Sequence, residues 1–154
     1  LAKTYMDRLG IVITRPFNYT GVGQSSRFLI PKIVEHFKAR ARVIELGNID
    51  VEREFSDVRD IAVYYLSLAK KPPMNEVVNL CSGSPVSLKQ CLQITESVTG
   101  HQISVKNNPI FSRRSEVRRL AGDRRKLLSL TNRAAPRSFA ETVTWMLHRA
   151  PENQ

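Results

Sequence analysis

The chain has 154 residues, 42% of them hydrophobic, which is enough for one compact domain with a core and too few for two ordinary ones. No apolar stretch approaches the ~20 residues of a membrane-spanning helix, and no basic segment leads into an apolar one at the start, so a soluble, cytoplasmic protein is expected. Lys and Arg outnumber Asp and Glu by 24 to 14, a formal net charge of +10 that points to polyanionic partners: nucleic acid, acidic lipid or a phosphorylated small molecule.

In chain order, Leu1, Tyr5 and Leu9 recur at four-residue spacing, which predicts a helix tail over 1–9 with Gly10 as its left-handed C-cap. Ile11-Val12-Ile13-Thr14 is a β-branched run without alternation and predicts a strand over 11–14 buried on both faces of a parallel sheet, followed by a polar loop over 18–26. Phe28, Ile33, Val34 and Phe37 carry helical periodicity through Ala39, and 43–46 is a short strand closed by Gly47-Asn48. Asp57 caps a helix over 58–69 that Pro72-Pro73 stops.

A second buried-looking strand covers 77–80, and a turn over 84–87 leads into a helix ending near Gly100. A strand over 103–105, a short helix capped by Asp123 and running through Leu130, and an amphipathic helix over 138–148 complete the chain. Strands alternating with helices predict an α/β fold.

In such sheets ligands sit beyond the carboxyl ends of the strands, which nominates residues 15–18 and 81–84. Cys81 and Cys91 lack C-x-x-C spacing and read as reduced thiols. His36, His101 and His148 are isolated, so no metal site is expected. The basic stretch 113–137 contains no Phe, Tyr or Trp to stack bases, which argues against nucleic acid as a partner. Arg118, Arg119, Arg124, Arg125 and Lys126 read as a solvated face, Arg59 with Asp57 and Asp60 as capping and surface pairing, and Trp145 and Met146 as core.

The run from Thr14 through Arg15-Pro16-Phe17-Asn18-Tyr19-Thr20-Gly21-Val22-Gly23-Gln24 resembles the R-P-F-N-x-T-G-P-G-Q segment of extended short-chain dehydrogenases, the NAD-dependent epimerase/dehydratase family. Gly47-Asn48-Ile49-Asp50 with Arg53-Glu54-Phe55-Ser56-Asp57-Val58-Arg59-Asp60 is similar to G-N-L-D-x-x-R-D-F-x-D-V-R-D, and Asn79-Leu80-Cys81-Ser82-Gly83 to N-V-x-S-G. Arg113-Arg114-Ser115-Glu116-Val117 and Gly122-Asp123 resemble the R-P-x-E-V and G-D-x-x-K of GDP-mannose dehydratases and GDP-4-keto-6-deoxymannose reductases; Val22 and Arg114 stand where that pattern has Pro.

The resemblance implies the carboxy-terminal part of a Rossmann-type parallel sheet plus a small substrate-binding α/β subdomain. It also implies NAD or NADP as cofactor, a nucleotide-diphosphate sugar as substrate, and a homo-oligomer in the complete protein. Carried over by position, Asn18 contacts the pyrophosphate or sugar, Arg53 and Arg113 grip the pyrophosphate, Glu116 accepts from the nucleotide ribose, Lys32 is a further phosphate candidate and Phe17 lines the nicotinamide side.

Taken alone, Asn18 suits an Asx turn equally well, and Arg53 suits a surface pair. The family's catalytic Tyr carries a Lys four residues later, whereas Tyr5, Tyr19, Tyr64 and Tyr65 are followed by Leu9, Gly23, Leu68 and Ala69. No glycine-rich phosphate loop is present either, so the catalytic and dinucleotide-binding half is expected before Leu1, and the chain alone is expected to be inactive and to hold no cofactor. A UDP- or dTDP-sugar epimerase or dehydratase, and a non-catalytic basic binding module, are the alternative readings.

Overall fold

The computed structural model describes residues 1–111, 117–132 and 136–149. The chain opens with a 3-10 turn, Ala2–Tyr5, running into a single helical turn, α1 (Met6–Leu9), with Gly10 at φ 60 as the left-handed C-cap. Neither piece buries a residue, so the tail expected over 1–9 forms with its apolar side chains exposed.

Strand β1 (Ile13–Pro16) begins two residues later than expected. Its ladder is nonetheless primed earlier, because Asn75 N–H donates to the Ile11 carbonyl at 3.0 Å. Contrary to the expectation of burial on both faces, Ile13 and Thr14 are half-buried and Arg15 and Pro16 exposed. The reason is the pairing: among the described residues β1 is hydrogen-bonded to one strand alone, β6.

The loop expected over 18–26 contains a two-residue strand, β2 (Tyr19–Thr20), because β5 (Ser56–Asp57) pairs with it in parallel. Helix α2 (Leu29–Lys38) turns Ile30, Ile33, Val34 and Phe37 inward, and β3 (Val43–Leu46) follows as expected. After β4 (Glu52–Arg53), Asp57 caps α3 (Val58–Lys70) by accepting from Arg59 N–H.

Strand β6 (Val77–Leu80) pairs in parallel with β1, Thr14 lying opposite Val78. A two-residue strand, β7 (Val86–Ser87), leads into α4 (Leu88–Thr99), whose Ser87–Gln90 capping box satisfies the first amides. Strand β8 (Ser104–Asn107) pairs in parallel with β3 and lies slightly beyond the expected 103–105, since Ile103 is drawn into the core instead.

Strand β9 (Arg119–Leu120) adds in parallel to β4, while β7 adds antiparallel on the other edge of β4. Helix α5 (Arg125–Thr131) starts two residues after Asp123, whose carboxylate still accepts from Arg125 N–H at 2.9 Å. Helix α6 (Phe139–His148) opens with a Ser138–Glu141 capping box.

Two cores result. The larger joins α2, β3, α4 and α6 through Ile33, Phe37, Ile44, Cys91 and Val143. The smaller packs α3 and α5 against β6 through Ile61, Tyr64, Val78, Leu80 and Leu127. No described helix is long and apolar enough to cross a membrane.

Candidate functional site

A cleft of about 780 Å³ opens between the carboxyl end of β1, helix α2 and the β4 sheet. Phe17, Asn18, Lys32 and Arg53, which come from separate stretches of sequence, all line it, together with Phe28 and Phe111. The turn after β1 is held on both sides: Phe17 N–H donates to the Leu80 carbonyl at 2.9 Å, and the Asn18 carbonyl accepts from Ser56 N–H at 2.9 Å. With its backbone fixed, the Asn18 side chain is exposed and makes no hydrogen bond among the described residues, so the Asx turn that the residue alone permits does not form.

Arg53 is half-buried, and its Nη1 donates to the Glu52 carbonyl at 2.8 Å, which leaves most of its donors for a ligand. Lys32 Nζ donates to the Glu45 carbonyl at 2.7 Å and sits 4.3 Å from the centre of the Phe111 ring. It therefore braces the cleft wall as well as charging it. Arg113 and Glu116 lie outside the described residues, although Phe111 before them and Leu120 after them both line the cleft.

One side chain beside this cleft was not nominated by the sequence. Arg53 and Phe55 line the cleft, and between them Glu54 points the other way and is 0% exposed. Its Oε1 accepts from Gly122 N–H at 2.6 Å, and its Oε2 accepts from Ser82 N–H at 3.0 Å and the Ser82 hydroxyl at 3.4 Å. A signal for it existed: in Arg53-Glu54-Phe55-Ser56 the period-2 pattern puts Glu54 and Ser56 on one face.

The Ser82 carbonyl accepts from Arg124 Nη1 at 3.1 Å, while Arg124 Nε and Nη2 are buried with no hydrogen-bond partner among the described residues. Arg124 thus departs from the solvated face expected for it. The other four members of that cluster are exposed, as expected: Arg118 lies at the surface, and Arg119 pairs with Glu52, Arg125 with Asp123 and Lys126 with Glu76.

Gly122 is a close-approach position. A Cβ there would lie 2.7 Å from Cys81 Sγ and 2.9 Å from the Phe17 ring. Burial, reinforced by the nearby Glu54 carboxylate, pushes the Cys81 thiol up to about 11, and burial pushes Cys91 up to about 12, so neither is a thiolate near neutral pH. Among the described residues no cluster of His, Cys, Asp and Glu can hold a metal ion. His101 Nε2 lies 2.8 Å from the Ala41 carbonyl and His36 Nδ1 2.8 Å from the Lys32 carbonyl.

Behind the cleft, Asp57 fastens α6. Its carboxylate accepts from Arg59 Nε at 2.9 Å, Arg59 Nη2 at 2.6 Å and the Thr142 hydroxyl at 2.9 Å, while the Arg59 guanidinium stacks 3.8 Å from the Trp145 ring centre. Burial works to raise the Asp57 pKa, but the Arg59 and Thr142 bonds outweigh it and hold the carboxyl below its ordinary value. Arg59 is thus a capping and pairing residue, as expected, although its partner is the buried Asp57; Asp60 pairs with Arg137 instead. Met146 is buried and Trp145 is only partly so.

The family model described as GDP-mannose 4,6 dehydratase matches residues 1–146, which include every residue of the cleft. The chain belongs to the GDP-mannose 4,6-dehydratase family. This family member is 38% identical over 130 residues to the GDP-6-deoxy-D-talose 4-dehydrogenase of Aggregatibacter actinomycetemcomitans, covering 84% of this chain and 44% of the relative. A crystal structure from Burkholderia cenocepacia J2315, provisionally named an epimerase, matches with a TM-score of 0.90 and 46% identity over 95% of this chain and 48% of that one.

RMD from Pseudomonas aeruginosa, solved in complex with NADPH, matches with a TM-score of 0.84 and 25% identity over 94% of this chain and 50% of its own. The dehydratase-family chain therefore spans about half the length of the relatives it matches. Its fold is their α/β, Rossmann-type architecture, with parallel pairing at β1–β6, β2–β5 and β3–β8.

Proposed function

We propose that this chain is the nucleotide-sugar-binding portion of an NAD(P)-dependent nucleotide-diphosphate-sugar dehydratase or reductase that takes GDP-mannose-type sugars. The observation that carries the reading is the single cleft into which Asn18, Lys32 and Arg53 converge beside aromatic walls. A pyrophosphate asks for a guanidinium fork, an ammonium and amide donors, and a sugar asks for a carboxamide with free donors and acceptors. Arg113 and Glu116, carried over by the resemblance, complete the grip on pyrophosphate and ribose in this reading. The GDP-sugar dehydrogenase relative supports the choice of base.

Residues 1–154 form, in this reading, the last strands of the dinucleotide-binding sheet together with the substrate-binding subdomain. The chain fits one end of NAD(P). Phe17 presents a half-buried ring at the carboxyl end of β1, beside the cleft, where the nicotinamide would lie. Among the described residues no glycine-rich strand-to-helix turn cradles a pyrophosphate, and of the residues that line the cleft Phe17 alone is assigned to the cofactor. When bound, the dinucleotide supplies hydride exchange with the sugar, while Phe17 excludes water and Asn18 and Arg53 orient the substrate.

The test is calorimetric titration of the full-length protein with GDP-mannose, GDP, UDP-glucose and dTDP-glucose. GDP-mannose and GDP bind, and Arg53→Ala weakens both on the order of 10- to 100-fold, as expected for loss of charged hydrogen bonds. Failure of both guanosine ligands overturns the GDP assignment. Binding of the uridine or thymidine sugars in their place moves the protein to that substrate class, and salt-sensitive nucleic-acid binding without any sugar nucleotide makes it a binding module.

A further inference from the structure

Glu54 is a fully buried carboxylate that, among the described residues, has no cation within ion-pair distance. An ionised group in that position is costly unless hydrogen bonds replace its lost water. Three donors replace it, namely the Ser82 amide, the Ser82 hydroxyl and the Gly122 amide. Those donors belong to two separate segments, the turn after β6 and the loop before α5, and the carboxylate itself belongs to a third, the link between β4 and β5. Two of these segments supply or adjoin lining residues of the cleft, and the third, the turn after β6, packs Cys81 against Gly122. Arg53 and Phe55 flank Glu54 in sequence and line the cleft, while Gly122, held by the 2.6 Å bond, fills the space beneath Cys81 and the Phe17 ring.

We propose that Glu54 is a positioning residue for the nucleotide-sugar cleft: by clamping Ser82 and Gly122 it sets where Arg53 and Phe17 project. This rests on the proposed function, because Arg53 is taken there as a pyrophosphate contact. An apolar side chain of similar volume would fill the same space without orienting the two amides. A carboxylate is suited to the task because it offers acceptors alone, so both amides meet a lone pair whichever oxygen faces them. Arg124 closes the clamp from the other side by donating to the Ser82 carbonyl, so residue 82 is held at both its amide and its carbonyl.

The experiment compares wild type, Glu54→Gln and Glu54→Asp in the full-length protein, by calorimetric affinity for GDP and by amide exchange at Ser82 and Gly122. Glu54→Gln keeps the shape but turns one acceptor into an amino group that faces an amide donor. The expected result is faster exchange at one or both amides and at least tenfold weaker GDP binding at a temperature where circular dichroism shows the variant folded, with Glu54→Asp in between. A merely structural role lowers the melting temperature but leaves the folded protein's affinity for GDP unchanged, so a Glu54→Gln protein that binds as tightly as wild type overturns the proposal. If Glu54→Gln does not fold, Glu54→Asp decides: threefold or greater weakening supports the clamp, and unchanged affinity overturns it. A wild type that binds neither GDP nor GDP-mannose overturns the functional reading and this proposal with it, whereas a binding wild type with an equally tight variant overturns the proposal alone.

Discussion

The two cores are built from similar ingredients and reach different degrees of closure. Around β3, the helices α2, α4 and α6 bury Ile33, Phe37, Ile44, Cys91 and Val143 at 2% exposure or less. Around the β1–β6 ladder, α3 and α5 seal Val78, Leu80 and Leu127, yet Arg15 and Pro16 on β1 are open and Leu9 and Leu66 stay largely in water. A parallel pair is stabilised by cover on its faces rather than by its own ladder, so the second region depends more heavily on the few side chains that one layer of helices supplies.

That contrast can be broken by truncating one side chain in each region. Phe37→Ala is expected to cost about 3–5 kcal/mol, because the closed core cannot collapse around the lost ring. Leu127→Ala is expected at the low end of its class, about 2 kcal/mol, because the smaller cluster lies near open surface and can relax. Urea midpoints measure both, and equal losses would show that the two cores are equally closed.

Gly122→Ala comes next, at about 1–3 kcal/mol, since the new methyl overlaps Cys81 Sγ and the Phe17 ring and one of them must move. A shift of the Phe17 ring resonances alongside the loss of stability would tie the smaller region to the cleft. Unchanged stability would mean that the loop before α5 yields freely.

Acid sharpens the comparison further. Asp57, which joins α3 to α6 and hence one core to the other, has a carboxyl held below its ordinary value. Its contribution is therefore full above the unfolded-state pKa of about 4 and is lost as pH falls through the lower folded value. Asp57→Asn should flatten the fall in melting temperature below about pH 4, and an unaltered acid limb would remove Asp57 from the account. The smallest effect belongs to Arg125→Ala: its pair with Asp123 is exposed, and the melting temperature should stay at the wild-type value.

Much of the fold was legible because long elements announce themselves. The periodicity of Ile33, Val34 and Phe37, the Asp57 cap, the turn over 84–87 and the Gly10 and Gly100 ends all stand in the structure. The two-residue strands β2, β4, β5, β7 and β9 were not legible, since two residues cannot display a period and each exists only because a partner strand meets it. The cleft was half legible. Phe17, Asn18 and Arg53 could be nominated from local motifs, but Glu54 reads as one more surface acid until Ser82 and Gly122, 28 and 68 residues away, are seen to donate to it.

By itself, then, the sequence determined the α/β class, the longer helices with the Asp57 cap, the family pattern and four of the residues that line the cleft, Phe17, Asn18, Lys32 and Arg53, because these follow from local periodicity and short motifs. Only the tertiary structure decided that β1 is half-covered, that the Asn18 side chain is exposed with no hydrogen bond among the described residues, that Arg124 is partly drawn inside and that Glu54 accepts from Ser82 and Gly122. Each of those outcomes depends on which distant backbone groups arrive beside a side chain, and that is a property of the assembled chain rather than of any segment within it.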